Sequence, residues 1–206
     1  MSKIALVRHG QSEWNQKGFW TGWQDSPLSK KGEEEAKKAA TILKDISFHL
    51  TFSSDLKRAY DTLEIIKKEL KIQITPTISH QALKERHYGE YTGKNKWEIQ
   101  KKVGEKRFKE IRRGWNYPIK DGETLKDVYD RVVPYFLKTI LPHLTAGKDI
   151  LIVAHGNSIR ALIKHLERIS DVDISEIELK TGEVIIYDID LKGKIVKKER
   201  RNNEKN

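Results

Sequence analysis

Two histidine–glycine pairs, each directly after a short apolar run, are the residues of this chain best placed to do chemistry. The first closes Ile4-Ala5-Leu6-Val7-Arg8-His9-Gly10, and the second closes Ile150-Leu151-Ile152-Val153-Ala154-His155-Gly156. Neutral imidazole is a good nucleophile near pH 7, because its unperturbed pKa is about 6.5. A histidine can attack phosphorus and hold the phosphoryl group covalently, so that one hard transfer becomes two easier ones. The transferring group spreads charge over its equatorial oxygens and needs fixed cations or directed N–H donors. Arg8 and Arg58 suit that need, since guanidinium offers forked donors matched to phosphate and stays charged. Arg58 belongs to Ser53-Ser54-Asp55-Leu56-Lys57-Arg58, in the first turn of a helix expected over residues 55–70, where a helix N-terminus also favours anions. Glu85 is the only acid in Leu83-Lys84-Glu85-Arg86-His87-Tyr88-Gly89. In a partly desolvated site such a carboxyl passes protons near neutrality; on a surface it simply pairs with Lys84 or Arg86. His155 reads either as a second donor to the phosphoryl group or as a buried, hydrogen-bonded histidine. Taken singly, each His-Gly pair is also what an ordinary strand-to-loop turn contains.

The elements that must position these residues follow from hydrophobic pattern. Each apolar run reads as a buried strand, and each is followed by polar residues that can open a helix. Ligands in open α/β sheets gather where strands end and helices begin, so two adjacent strands would bring His9 and His155 to one crevice. Strands are expected near residues 3–7, 49–53, 149–154 and 184–190, and helices near 32–44, 55–70, 125–144 and 158–167. That alternation predicts an α/β three-layer sandwich, with a mostly parallel central sheet flanked by helices. Pro134 should kink the third helix or end its first part. The weakly apolar stretch 91–121 reads as a helical insertion that caps the site. With 206 residues and neither an internal repeat nor a linker, residues 1–206 are expected to form one domain.

Composition narrows the function classes. There is no His-Glu-x-x-His, no cysteine and no acidic triplet with magnesium-like spacing, so no metal is expected. Neither a Gly-Lys-Ser/Thr phosphate loop nor a Gly-x-Gly-x-x-Gly turn is present, which argues against nucleotide-driven transfer and a dinucleotide cofactor. No apolar run approaches ~18 residues, so no membrane is expected as a partner. Met1-Ser2-Lys3 leads straight into a core strand with no signal-peptide pattern, and the simplest compartment is the cytoplasm. The net charge is +10, from 40 basic and 30 acidic residues. Half of that excess lies in a basic C-terminal tail from about 192, which holds seven Lys or Arg against two Glu and reads as a solvated end. A basic protein can bind nucleic acid, but no nucleic-acid motif appears and the tryptophans are scattered. Steering of an anionic substrate explains part of the charge more economically, and no nucleic-acid partner is expected.

The whole set of motifs resembles the histidine phosphatase superfamily, and within it the cofactor-dependent phosphoglycerate mutase branch. Arg8-His9-Gly10-Gln11-Ser12-Glu13-Trp14-Asn15 is similar to the family's opening motif, which contains its phosphorylated histidine. Thr21-Gly22-Trp23, with Asp25, Leu28, Ser29 and Gly32 behind it, resembles the mutase branch. Ser53-Ser54-Asp55-Leu56-Lys57-Arg58-Ala59 resembles the segment with the second phosphate-binding arginine. Glu85-Arg86-His87-Tyr88-Gly89, followed by Gly93-Lys94-Asn95-Lys96, is similar to the stretch with the acid/base glutamate. Arg112-Arg113-Gly114 and Ala154-His155-Gly156-Asn157-Ser158-Ile159-Arg160-Ala161-Leu162 complete a match that runs in order from residue 3 to about 190.

The resemblance implies a phosphoglycerate mutase-like fold and interconversion of 2- and 3-phosphoglycerate in glycolysis and gluconeogenesis, with 2,3-bisphosphoglycerate as the priming phosphoryl donor. It implies that His9 is phosphorylated, that Arg8, Arg58 and His155 surround the phosphoryl group, and that Glu85 exchanges a proton with the substrate hydroxyl. Asn15, Thr21, Gly22, Arg86, Tyr88, Lys96, Arg112, Arg113, Gly156 and Asn157 would bind the phosphoglycerates. Arg86, Lys96, Arg112 and Arg113 are a surplus of cations suited to a second phosphate and a carboxylate. The chain departs from longer members in three places. Tyr117-Pro118 runs almost directly into Gly122-Glu123-Thr124 without their insertion, Thr124 stands where serine is usual, and the tail is short. Water exclusion separates a mutase from a hydrolase, so the short tail keeps a histidine phosphatase as the alternative. The oligomeric state, monomer or small homo-oligomer, stays open.

Overall fold

In the first strand, β1 (Ser2–Arg8), Ile4, Ala5, Leu6 and Val7 are all buried. A strand apolar on both faces must lie inside a sheet with helices on each side. Ile4 and Leu6 point into one core and Ala5 and Val7 into the other, as the alternation of a strand requires. The computed structural model describes residues 1–201 and runs on in this order. After β1 come α1 (Glu13–Gln16), α2 (Lys30–Leu43), β2 (Leu50–Ser53), α3 (Lys57–Glu69) and β3 (Thr77–Ser79). A helical pair, α4 (Lys96–Val103) and α5 (Glu105–Arg113), precedes α6 (Leu125–Tyr135) and α7 (Leu141–Thr145). The chain closes with β4 (Ile150–Ala154), α8 (Gly156–Glu167), β5 (Val184–Ile189) and β6 (Ile195–Arg201).

The sheet order is β3-β2-β4-β1-β5-β6. The first four strands are parallel, and β5 and β6 are antiparallel to their neighbours, so the sheet is mostly parallel as expected. Residues of α2 and α3 pack with Ala5, Val7, Leu151 and Val153 on one face. Residues of α6 and α8 pack with Ile4, Leu6, Ile150 and Ile152 on the other. The helices that follow the neighbouring strands β1 and β4 therefore leave toward opposite faces, which opens a crevice at the ends of those two strands. A third apolar cluster, Trp20, Tyr88, Tyr91, Phe108, Ile111 and Ile119, lies apart from both sheet cores and supports α5. The stretch 91–121 does contain helices, α4 and α5. None of the described helices is long and apolar enough to cross a membrane.

The helix with Pro134 is interrupted where expected: α6 closes one residue after it, at Tyr135, and a π-helical turn over Phe136–Ile140 separates it from α7. Two elements differ from the pattern-based reading. β3 is only three residues long, too short for an alternation to show. The basic tail is not a free end over its described part, because Ile195–Arg201 form the edge strand β6, with Lys198 opposite Tyr187. The turn that returns it is built by Asp190, whose Oδ1 accepts from Lys192 N and Lys194 N, with Gly193 at φ +79°. Charged side chains along β6 protect an edge that would otherwise pair with other chains. Residues 202–206 of the expected tail lie outside the described residues.

β6 is tied back by Arg201 to Asp45, Lys198 to Glu167 and Arg200 to Glu183. Deleting residues 195–206 is therefore expected to lower the thermal midpoint by about 5 °C or more, read by circular dichroism. An unchanged midpoint would show that β6 contributes nothing to the folded sheet.

Candidate active site

β1 and β4 end side by side, with Arg8 opposite Ala154, and His9 N donates to Ala154 O at 2.9 Å. The next residue on each strand is a histidine, so the two imidazoles meet with ring centroids 4.9 Å apart. The turn after His9 has no room for a side chain. A Cβ on Gly10 would lie 2.2 Å from Gly32 O, and one on Gly32 would lie 2.1 Å from Gln11 O. The two glycines let this loop rest against the first turn of α2. Gly10 N also donates to Thr62 Oγ1, whose hydroxyl donates to Arg58 O, which pins the same loop to α3.

His9 Nδ1 sits 2.7 Å from Gly10 O. A carbonyl can only accept, so Nδ1 carries the proton and Nε2 keeps its lone pair. Burial, and then the charges of Arg58 and Arg8, hold the imidazole pKa well below its usual value. His9 is thus a neutral imidazole at pH 7 with a free Nε2, the form a nucleophile needs. His155 is also fully buried, and its pKa is likewise lowered by burial first and by Arg58 and His9 next. Its Nε2 is 2.6 Å from Ser54 Oγ.

Arg58 stands in the first turn of α3, as its place in the sequence implies. Its Nη1 donates to Gln24 O and its Nη2 to Gly22 O, the latter on a residue at φ +54°. Arg8 donates from Nη1 to Leu179 O at 2.5 Å. Two carbonyls hold the fork of Arg58 and one holds Arg8, while both Nε–H groups are buried without a protein partner. Lys96, Arg112 and Arg113, from α4 and α5, line the same cavity. Burial, followed by repulsion from Arg112 and Arg8, pushes Lys96 down to about 8, and burial pushes Arg58 down to about 10. Arg113 is already paired with Glu178, at 2.5 Å, whereas Arg58, Lys96 and Arg112, forced together out of water, form an anion site awaiting its counter-charge.

Glu85 is buried, and its Oε1 accepts from Arg86 N, Asn157 N and Asn157 Nδ2 at 2.8, 3.2 and 2.9 Å. With three donors on Oε1, Oε2 is the oxygen left to exchange a proton. The backbone carbonyl of Glu85 is clamped as well, by Trp23 Nε1 and Arg131 Nη2. Arg131 also bonds the carbonyls of Ala82 and Lys84 and pairs with Glu123, so α6 holds the whole Glu85 loop. The surface reading of Glu85 is corrected by its neighbours: Lys84 pairs with Asp55, and the Arg86 side chain turns inward.

One cavity is lined by Arg8, His9, Asn15, Thr21, Gly22, Arg58, Glu85, Tyr88, Lys96, Arg112, Arg113, Gly156 and Asn157. His155 is not at its surface but stands against His9. Arg86 is the exception and a correction. It is fully buried, does not line the cavity, and its guanidinium is spent on the carbonyls of Glu123, Ile111 and Tyr117. It joins the Glu85 loop to the end of α5 rather than facing a ligand. Three cavity-lining features escaped the sequence reading: Trp20, Arg160 and the backbone segment 177–179. Arg160 follows Asn157 by three residues on α8, a spacing that places both on one helix face and was a usable signal. Among the described residues, no group of three or more His, Asp or Glu is arranged to hold a metal ion.

The sequence profile of the histidine phosphatase superfamily (branch 1) matches residues 4–202. The chain belongs to that superfamily. Superfamily relatives include a 2,3-bisphosphoglycerate-dependent phosphoglycerate mutase of Tropheryma whipplei, 42% identical, with 94% of this chain and 96% of the relative covered. A phosphoglycerate mutase of Schizosaccharomyces pombe is 43% identical over 95% of this chain and 94% of its own. Among solved structures, YhfR of Bacillus stearothermophilus superposes with a TM-score of 0.82 at 26% identity, covering 95% of this chain and 94% of that one. Phosphoglycerate mutase of Bacillus anthracis gives a TM-score of 0.74 at 25% identity, covering 95% of this chain and 90% of the other.

The Lys96 pKa generates a pH test. Its charge is lost as pH rises through about 8, so inhibition by inorganic phosphate should weaken across that range in the wild type. Lys96→Arg keeps the charge and should bind phosphate almost evenly from pH 7 to 9. Equal pH dependence in the two proteins would remove Lys96 from anion binding.

Proposed function

We propose that this protein interconverts 2- and 3-phosphoglycerate by way of a phosphohistidine on His9, with 2,3-bisphosphoglycerate as primer and no metal. One observation carries the reading. A neutral imidazole with Nε2 free shares a cavity with two carbonyl-held guanidiniums and a carboxyl group whose Oε2 is left for proton exchange. The relatives named as 2,3-bisphosphoglycerate-dependent mutases support it, at 42% identity for the Tropheryma whipplei protein and 44% for that of Cytophaga hutchinsonii. The cavity also fits a ligand with several anionic groups. It is lined by six Arg or Lys side chains and two carboxylates, and the buried Nε–H groups of Arg8, Arg58 and Arg160 have no protein partner.

When bound, 2,3-bisphosphoglycerate supplies the phosphoryl group that primes His9. The protein's own residues then act on the monophosphate. Arg8 and Arg58 would neutralise the equatorial oxygens of the phosphoryl group, the charge that most needs stabilising in such transfers. Gly10 O, through Nδ1–H, would offset the positive charge that builds on the ring. As the substrate hydroxyl attacks phosphorus, the O–P bond forms, the N–P bond breaks, and the hydroxyl proton passes to Glu85 Oε2. The return step reverses these changes at the other oxygen. Lys96, Arg112 and Arg113 would hold the remaining phosphate and carboxylate. The whole of 1–206 is taken as one domain, with 91–121 as its cap, and its compartment as the cytoplasm.

Hydrolysis is the competing outcome, because a mycobacterial glucosyl-3-phosphoglycerate phosphatase shares the fold at 25% identity with a TM-score of 0.78. The described C-terminal residues are committed to β6 and so do not cover the cavity. Phosphorus NMR of 3-phosphoglycerate with the purified protein, in chelator, decides between them. The expected result is 2-phosphoglycerate, stimulated by catalytic 2,3-bisphosphoglycerate and unaffected by the chelator. Accumulation of inorganic phosphate alone would make the protein a phosphatase. His9→Ala should abolish turnover, and Arg58→Met should reduce it by about 10²–10³, the usual cost of removing a transition-state donor. Undiminished mutase turnover in His9→Ala would overturn the mechanism.

A further inference from the structure

Arg160 is 5% exposed, lines the cavity, and has burial as the main reason its pKa falls to about 10. No proton- or phosphoryl-transfer step described above uses it, although its Nε–H is among the unpartnered donors of the cavity wall. Its partners are telling. Nη1 donates to Asn157 Oδ1 at 3.0 Å, and Nη2 donates to Arg113 O at 3.0 Å and Ile174 O at 2.6 Å. A guanidinium has only donors, so the Asn157 atom that faces it must be the amide oxygen. That fixes the other end of the amide. Nδ2 then points at Glu85 Oε1 and at Tyr88 Oη, at 2.9 and 2.8 Å. Its two hydrogens match the two acceptors.

We propose that Arg160 is a positioning residue for the proton carrier: it locks the Asn157 amide so that Nδ2–H holds Glu85 Oε1 and leaves Oε2 toward the substrate. The other two bonds give the lock its anchor. Arg113 O lies at the end of α5, beside the cations of the cavity wall, and Ile174 O lies in the segment that leads to Leu179, the partner of Arg8. Arg160 thus ties the Glu85 side of the site to both the cap and the Arg8 support. If Arg160 is lost, the amide has no charged partner on its oxygen, and the Nδ2–H that Glu85 Oε1 accepts is no longer held in place.

This inference rests on Glu85 as the proton carrier of the proposed mutase. A double-mutant cycle tests it: wild type, Arg160→Met, Asn157→Ala and the double variant, with Arg160→Lys as a donor-only replacement of similar reach. Arg160→Met is expected to lower kcat on the order of 10-fold or more, part of the usual acid–base contribution, while KM moves within about threefold. In the Asn157→Ala background the same change should cost less than about twofold, and Arg160→Lys should recover part of the wild-type kcat. Equal losses in both backgrounds, or a loss confined to KM, would overturn the proposal and make Arg160 an anion ligand or a plain support. Should Arg160→Met not fold, Arg160→Lys takes its place in the cycle, with a smaller kcat loss expected in the wild-type background and none in the Asn157→Ala background; equal losses in the two backgrounds would again overturn the proposal.

A second readout needs no turnover. The Asn157 side-chain NH2 signals, assigned by their loss in Asn157→Ala, should exchange with solvent about tenfold faster or more when Arg160 is replaced, because opening of the locked amide becomes easier. Unchanged exchange would overturn the positioning role. Wild-type protein that makes no 2-phosphoglycerate would instead refute the mutase reading, and the amide exchange would still judge Arg160.

Discussion

The parallel pairing of β1 with β4 sets both imidazoles, because each strand's register with the other determines where the residue after it falls. Arg8 and Ala154 are the last partners, His9 N bonds Ala154 O, and the histidines are brought together without any help from a flexible loop. The same pairing sends the chain into α2 on one face and α8 on the other, so neither helix fills the space at the strand ends. A site built on central strands is held more rigidly than one built on loops alone, and behind it Ile4–Val7 of β1 and Ile150–Ala154 of β4 are all buried.

Charge is the second constraint, and it works against the fold until an anion arrives. Burial lowers the pKa of His9, His155, Arg58, Lys96, Arg112 and Arg160 alike. The two histidines respond by staying neutral, which is what a nucleophile requires. Arginines cannot shed their protons in this way, and three of them are instead fixed by backbone carbonyls: those of Gly22 and Gln24 for Arg58, Leu179 for Arg8, Arg113 and Ile174 for Arg160. Carbonyl anchors hold a guanidinium in place without neutralising it. A carboxylate in the same position would have cancelled the charge available to an anion.

Much of this was legible in the residues themselves. The four-residue apolar core of β1 and the five-residue run of β4 can only be interior strands, and the polar His-Gly that follows each marks where the sheet ends. Arg58 was placed by helical periodicity at the start of α3. What the sequence did not show depends on partners remote along the chain. Arg86 sits in a motif rich in ligand residues, yet its direction is set by three carbonyls that converge from residues 111, 117 and 123. The segment 177–179 contributes to Arg8 through a backbone carbonyl, which has no side-chain signature at all. β6 is dominated by Lys and Arg, so the hydrophobic pattern was blind to it, although the Asp190–Gly193 turn was a readable cue.

In the proposed reaction His9 meets phosphorus as a neutral imidazole whose Nδ1–H is held by Gly10 O, with Nε2 the reacting atom. The most direct measurement is phosphorus–nitrogen correlation NMR of the ¹⁵N-histidine-labelled protein after phosphorylation by 2,3-bisphosphoglycerate. One phosphohistidine is expected, lost in His9→Ala, with phosphorus bonded to Nε2. Phosphorus on Nδ1, or on any residue other than His9, would contradict it.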